Sequence, residues 1–333
     1  LRLVPGVDDT PDPQAIHDYA ALHYVPAPGT LFRGIRSLRP AEQVSVQWDG
    51  TRCRVQSTLH HRWSLAPDAS RELIAASEEA EALVRQAVAS QLEADVPLGV
   101  MVSGGIDSSL VASFASSAAP DAGPLRTYNV RLPGAEEDET WAARRVAEAL
   151  GSDHHTLTLE PDATDLDGVL ELLRAPGQPL ADPALFATNR IADAMREHVT
   201  VALSGDGGDE GFGGYGRDWL TPLAGHLQDL HPALRWVTAL PARILGSHRR
   251  VLRALRDLPG RSDAQIMEFM GRRLPAEEHA RLLRPDTTYD PLHRLFEPRW
   301  DHRLGPEASR EERLSARLTE GNVRMILGSQ FLP

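Results

Sequence analysis

Asp107 stands two residues past a glycine pair and directly before two serines, in the stretch "VMVSGGIDSSLV" (residues 100–111). An apolar run that stops at serine and glycine is the pattern of a buried strand giving way to a loop. Glycines let successive backbone amides turn into one concavity, and the start of a following helix adds free amides and partial positive charge. Such a loop takes up an oxyanion without a lysine. Ser103, Gly104, Gly105, Ser108 and Ser109 supply the turn and hydroxyl donors suited to the oxygens of a pyrophosphate. Asp107 conflicts with phosphates unless a cation lies between them, and magnesium, which takes one or two carboxylates together with phosphate oxygens and waters, resolves the conflict. The plainer alternative makes Asp107 an acid at a helix start and the glycines a tight turn.

A second stretch repeats the device. "VALSGDGGDEGFGGYGR" (residues 201–217) again ends an apolar run in a loop where acids alternate with glycines. Two such loops at the carboxyl ends of two strands of one sheet face the same crevice, so Asp209 becomes the natural second magnesium carboxylate. Asp206 lies three residues earlier in the same loop.

These loops need a sheet to hold them. "LGVMVS", "LRTYNVRL", "DHHTLTLE" and "VTVALSG" read as strands, and "DSSLVASFASSAA", "EDETWAARRVAEAL" and "ALFATNRIADAMREH" as the helices that cross between them. Strands joined by helical crossovers predict a parallel sheet covered on both faces, and right-handed crossovers make it doubly wound. Ligands of such sheets bind at the carboxyl ends of the strands. Before this region, Leu73, Ala76, Ala80, Leu83, Val84, Ala87, Val88 and Leu92 have the spacing of a helix that packs one apolar face on the sheet. Residues 1–65 differ: "HDYAALHY" reads as a short helix, and "TLFRGIRSL", "EQVSVQW" and "RCRVQSTL" as extended runs of a β-rich meander. From about residue 218 onward the periodicity is helical, punctuated by Pro232, Pro241, Pro275 and Pro291.

At this level of detail the chain resembles a known family. "SGGIDSS" is similar to the pyrophosphatase loop of ligases that adenylate a carboxylate, and "LSGDGGDEGFGGY" resembles the second signature of the asparagine synthetase family. "PAPGTLFRGIRSLRPA", "EDETWAARRVAEALGSDHH" and "QPLADPALFATNRIADAMREHVTVALSGDGGDE" follow that family's order and spacing. The resemblance implies an α/β doubly wound parallel sheet of the adenine-nucleotide-hydrolase type, with a helical C-terminal part and a short β-rich N-terminal remnant. It also implies that Met101, Val130, Ser204 and Gly205 hold the adenosine of ATP and that Ser103 to Ser109 hold the pyrophosphate. Asp107 and Asp209 would bind Mg2+, and Asp206 occupies the position of the acid that handles the incoming amine's proton.

The implied reaction is asparagine synthesis. Aspartate is adenylated on its side-chain carboxylate with release of pyrophosphate, and ammonia from glutamine displaces AMP. Family relatives that form other amides, lasso-peptide cyclases and β-lactam synthetases, are the nearest alternative, and a non-catalytic ATP-binding regulator is another. Gly177, Gln178 and Pro179 replace the usual Asp-Glu-Pro, and Gly211 replaces an apolar residue, which bears on the acceptor; Asp182 keeps the pattern. His154 and His155 fit the family's histidine pair and read as structural. Glu136 to Glu139 read as acids favouring a helix N-terminus.

The same resemblance makes residues 1–65 the tail of a glutaminase domain and its linker, and residues 66–333 an ATP-pyrophosphatase domain cut before its end. The remaining glutaminase domain of the same polypeptide and a second copy in a homodimer are the expected protein partners. "NVRMILGSQFLP" resembles the family's helix just before a basic segment, so the resemblance implies a basic residue for the phosphates beyond Pro333. Separately, the 35 basic residues are all arginine, and a lysine-dependent Walker loop cannot be built from this stretch.

Composition closes off other classes. A formal net charge of -12 does not suit a nucleic-acid binder. The single Cys53 excludes a disulfide framework or a cysteine-rich metal site and fits a reducing, cytoplasmic setting. No apolar run reaches membrane-spanning length.

Overall fold

The computed structural model describes residues 1, 3–61, 68, 70–119, 123–131, 133–134, 138–159, 166–174, 177–182, 184–215, 220–229, 254, 256–283, 287–296, 314–316 and 318–319. They fall into two compact units: Leu1–Pro67, Pro176–Ala181 and Asp209–Pro333 form one, and Asp68–Ala175 with Asp182–Gly208 the other.

The second unit holds the sheet. Strands β3 (Leu98–Met101), β4 (Arg126–Arg131), β5 (Asp153–Thr158) and β6 (Val201–Leu203) lie in the order β5-β4-β3-β6. All neighbours are parallel, with Val100 beside Thr127 and Leu98 beside Val201. The chain therefore builds outward from β3 through β4 to β5, then returns to place β6 on β3's other side. This reversal is a topological switch point, where open α/β sheets form their ligand crevice.

Alternation along β3 sorts the side chains to two faces. Val100 and Val102 pack with α2 (Leu73–Gln91), α3 (Ile106–Ala118) and α4 (Thr140–Leu150) through Val88, Ala112, Phe114, Ala115 and Ala143. Met101 and Tyr128 face the other way, against Met195 and Ile191 of α6 (Ala184–Arg196). Both faces are covered by helices, as the crossovers predict. A further helix, α5 (Leu166–Arg174), precedes α6 in the same crossover.

Helix α2 corrects one expectation. Val84, Val88 and Leu92 reach the core, but Leu73 and Ile74 are 84% and 73% exposed. Of the stripe only Val84, Val88 and Leu92 join the core, Leu83 staying 58% exposed, and this end of α2 meets α3, where the Arg85 guanidinium sits 4.4 Å above the Phe114 ring. A periodic stripe shows which face is apolar, not how far the partner extends beneath it.

In the other unit, β1 (Glu42–Trp48) and β2 (Cys53–Leu59) form an antiparallel hairpin, and Cys53 is exposed. "TLFRGIRSL" is no strand: apart from one isolated bridge, Pro11 to Phe32, it turns on itself. The Phe32 N–H donates to Thr30 Oγ1 at 3.1 Å, the Thr30 hydroxyl lies 2.7 Å from Ile35 O, and Gly34 N–H donates to Asp8 O at 2.8 Å.

Helix α1 (Pro13–Leu22) starts at Asp12, whose side chain accepts from Gln14 N–H, and buries Ala15, His17, Asp18, Ala21 and Leu22. α7 (Gly208–Phe212) straddles the boundary between the units. After it come α8 (Leu220–Asp229), α9 (Asp263–Gly271), α10 (Ala276–Leu282) and a 3₁₀ turn (Leu292–Phe296). Ala224 of α8 and Ile266, Met267 and Met270 of α9 pack with Leu258, Leu314 and Leu318 in one core, while Leu292 of the 3₁₀ turn packs with Ala21, Leu22 and Tyr24. The helical expectations for residues 230–253 and 322–333, and the acids Glu136 and Glu137, lie outside the described residues.

A buried polar clasp joins α1 to the later helices. His279, 2% exposed, donates from Nε2 to His17 O at 2.9 Å and accepts at Nδ1 from Arg272 at 3.1 Å. Arg272 is also paired with Glu268 at 2.7 Å. Burial, then the charges of His17 and Arg272, holds the His279 imidazole below its ordinary value, with the hydrogen bond to His17 O and then Asp18 opposing. The native state therefore takes up fewer protons than the unfolded chain. This contribution to stability is complete above about pH 6.5 and is lost as pH falls through the folded-state value. The expected result is a thermal midpoint that drops on acidification from pH 8 to 5.5 by more in the native protein than in His279→Gln. Equal slopes would assign the acid sensitivity elsewhere.

Candidate active site

Strand β3 ends at Met101 and the chain turns through Ser103–Gly105 into α3. Gly104 has φ +90°, and a side chain there would collide with the Ala142 methyl group and lie 2.9 Å from Ala142 C and Ala143 N. Alanine at 104 would therefore add steric overlap to about 1–3 kcal/mol of backbone strain. Helix α4 presses its first turn onto the loop, and only glycine permits this.

The serines divide by environment. Ser108 is buried; its Oγ accepts from Ser103 N–H at 3.1 Å and lies 3.0 Å from Ser103 Oγ. Ser109 Oγ donates to Gly105 O at 2.7 Å, and Gly105 N–H donates to Ser103 Oγ at 3.2 Å. Ser108 thus braces the loop from within, whereas Ser103 is exposed at its mouth. Gly105 caps α3 without a side-chain acceptor. A helix start with no side-chain cap is one that can receive an outside anion.

The loop after β6 closes directly on this helix start. A side chain on Gly205 would come within 2.8 Å of Ser108 N and 3.1 Å of Asp107 Cβ, and one on Gly208 within 2.5 Å of Asp107 Oδ2. Gly207 has φ +96°. The structure thus brings Ser103, Gly104, Gly105, Asp107, Ser108, Ser109 and Gly205 together, with the exposed Asp107 carboxylate against Gly208. Asp206 is exposed, and its Oδ2 accepts from the Ser204 hydroxyl at 2.7 Å. Met101 and Val130 are half-buried on adjacent strands.

Asp209 opens the segment counted with the other unit. Its main-chain oxygen accepts from Gly213 N–H at 2.9 Å, and its carboxylate fills the space a Gly214 side chain would take. Glu210, which sequence reasoning passed over, is buried and accepts from the Tyr215 hydroxyl. Gln178 accepts from Leu31 N–H at 3.1 Å, a structural use for one residue of the departing tripeptide.

Among the described residues no group of three or more histidine, cysteine or acidic side chains is placed to hold a metal. Magnesium does not need one, since it is commonly bound through one or two carboxylates together with substrate phosphates. Asp107, exposed beside an uncapped helix start, is a donor of that kind.

The histidine pair is engaged in structure. His155 Nε2 lies 3.2 Å from Asp153 Oδ1, and its ring stacks on Tyr128 with centroids 5.3 Å apart. His154 Nδ1 lies 2.9 Å from Thr127 Oγ1 and Nε2 lies 3.1 Å from Asn129 Oδ1. Burial foremost, with Arg144 and His155 adding, pushes the His154 imidazole below its ordinary value and favours the neutral ring.

A family model described as asparagine synthase matches residues 79–319. The chain belongs to the asparagine synthase family. Among its relatives, a Mycobacterium bovis protein with the provisional name glutamine-hydrolysing asparagine synthetase is 33% identical over 210 residues, 63% of this chain and 32% of its own length. Glutamine-hydrolysing asparagine synthetase 1 of Bacillus subtilis is 31% identical over 204 residues, 61% of this chain and 31% of its own. A second provisionally named glutamine-hydrolysing asparagine synthetase, from Methanocaldococcus jannaschii, is 29% identical over 262 residues, 76% of this chain and 46% of its own. The chain thus spans about a third to a half of the length of these asparagine synthase relatives.

Proposed function

We propose that this protein forms an amide at the expense of ATP, with aspartate as acceptor and ammonia as nitrogen source. The observation that carries the proposal is the closure of two glycine loops at the switch point of a parallel sheet, with Asp107 exposed where they meet. A side-chain carboxylate oxygen of aspartate attacks the ATP α-phosphorus, the bond to pyrophosphate breaks, and an acyl-adenylate forms. The nitrogen lone pair of ammonia then attacks the acyl carbon, AMP leaves with the bonding pair, and Asp206 receives the proton that nitrogen sheds.

The Ser103–Ser109 loop and the start of α3 hold the departing pyrophosphate oxygens, and Ser108 keeps that loop in shape. Met101, Val130, Ser204 and Gly205 form the adenosine side of the crevice. Asp107 and Asp209 would hold Mg2+, which when bound neutralises phosphate charge. Glutamine hydrolysis by a glutaminase domain of the same polypeptide supplies the ammonia, as the relatives' names suggest. A homodimer and a cytoplasmic setting complete the proposal. Among the described residues no helix is long and apolar enough to cross a membrane.

The test measures pyrophosphate release from ATP with and without aspartate, and asparagine by mass spectrometry after adding ammonia, in the full-length protein. Aspartate-dependent pyrophosphate release with asparagine formed is the expected result. Release stimulated by another carboxylate, with no asparagine, would replace the acceptor. ATP binding without release under any condition would leave only a nucleotide-binding regulator.

A further inference from the structure

A continuous chain of polar groups, buried at Thr127, Asn129 and Thr140 and half-buried at His154 and Ser152, is unused by the chemistry above. Thr127 is fully buried, Asn129 is 4% exposed and Thr140 is 7% exposed. Asn129 Nδ2 donates to Thr140 Oγ1 at 3.2 Å, which fixes its Oδ1 as the acceptor of the proton on His154 Nε2. His154 Nδ1 then accepts from the Thr127 hydroxyl, which also lies 2.8 Å from Ser152 Oγ. With the Thr127 proton given to the imidazole, Ser152 Oγ donates to Thr127 Oγ1, and Ala147 O, 3.3 Å away, is the alternative acceptor of that same proton.

Each arm of the imidazole has a different destination. The Thr127 and Ser152 arm ties β5 to the start of β4 and to the last turns of α4. The Asn129 arm leads to Thr140, the first residue of α4, two residues before the Ala142 that presses on Gly104. Asn129 also directly precedes Val130 on β4. Apolar side chains would fill this space without desolvation cost, but they carry no direction. A satisfied polar network fixes one arrangement of strand and helix.

We propose that His154 is a positioning residue for the nucleotide site, setting the first turn of α4 through Asn129 and Thr140 so that the phosphate loop keeps its binding shape. The proposal rests on ATP being the ligand of that loop. His154 touches none of the loop residues; its effect is transmitted by two hydrogen bonds.

Two replacements separate the arms. His154→Gln places an amide donor near the Nε2 position and keeps the Asn129 arm, whereas His154→Asn keeps an acceptor toward Thr127 and loses the other. Thr140→Val, nearly isosteric, cuts the Asn129 arm at its far end without altering the histidine.

Calorimetric titration of each full-length variant uses the magnesium complex of α,β-methylene-ATP, whose α–β bridge resists cleavage. His154→Gln is expected to bind like the native protein. His154→Asn and Thr140→Val are expected to bind on the order of tenfold more weakly. In turnover the loss should appear as a raised KM for ATP with kcat less affected, the mark of a binding loop displaced in ground and transition states alike.

Native-like binding by both His154→Asn and Thr140→Val, or equal weakening by His154→Gln and His154→Asn, would reduce His154 to a core residue and overturn the proposal. Should the native protein itself fail to bind the analogue, the assignment of ATP to the loop falls first, and this inference with it.

Discussion

Asp107→Asn and Asp209→Asn are each expected to lower magnesium-dependent ATP turnover by roughly a hundredfold or more while the thermal midpoint barely moves, since a positioned charge on a reacting phosphate is worth several kcal/mol. Asparagine keeps the shape and one oxygen of aspartate but removes the charge. The charge matters under the proposed mechanism because these 333 residues hold no lysine, so within them a phosphate would meet only backbone amides, arginine and whatever cation the carboxylates hold. Stability should be spared because the Asp107 carboxylate is exposed and lies against Gly208, which has no side chain to bond it. Magnesium titration of pyrophosphate release alongside thermal unfolding reads both quantities. If raising magnesium restores full turnover, the carboxylate contributes affinity for the cation rather than its placement. If turnover is unchanged at every magnesium concentration, the pair is not the metal site and Asp107 is an acid at a helix start.

The parts of this arrangement that were legible in the sequence are those governed by local rules. A run such as "LGVMVSGG" declares a buried strand and its end, and a helix after it follows from the returning apolar period, so β3, β4, β5, β6 and the helices α3, α4 and α6 all fall where the pattern puts them. Glycine in both loops was legible as a need for backbone freedom. Positive φ at Gly104 and Gly207 bears that need out, while close packing adds causes the sequence does not show: Gly104 yields to Ala142, Gly205 to Ser108, and Gly208 to the Asp107 side chain.

The rest depended on register and on partners distant in sequence. Nothing near His154 announces that Asn129, 25 positions earlier, will face its ring; that follows from the β4–β5 register, in which Asn129 pairs with Thr156 and Thr127 with His154. "TLFRGIRSL" has the composition of a strand, yet its amides and Thr30 are occupied in local turns and by Asp8. Gln178 is legible in the sequence only as a departure from the family's tripeptide; that it accepts from Leu31, 147 positions away, is not.

Asp206→Asn should separate the two half-reactions, and it is the most discriminating single substitution. Adenylation needs phosphates held and their charge neutralised, but no proton leaves an amine in that step. Amide formation produces a positively charged nitrogen that must shed a proton, and a positioned carboxylate contributes about 10²–10⁴-fold to such a transfer. Asp206 suits the second task by its surroundings. Ser204 donates to one of its oxygens at 2.7 Å and fixes its direction, while the group remains exposed to whatever occupies the crevice. Asparagine in its place can still accept from Ser204, so the loop between Gly205 and Gly208 should keep its closure on Asp107. The expected outcome is aspartate-dependent pyrophosphate exchange into ATP within a few-fold of the native rate, with asparagine formation from ammonia reduced roughly a hundredfold or more. Raising the ammonia concentration should not recover the loss, because the missing step follows nitrogen attack. Were exchange and amide formation to fall together, Asp206 would belong with the phosphate and metal site. Were neither to fall, its carboxylate would be only a partner for Ser204 in shaping the turn.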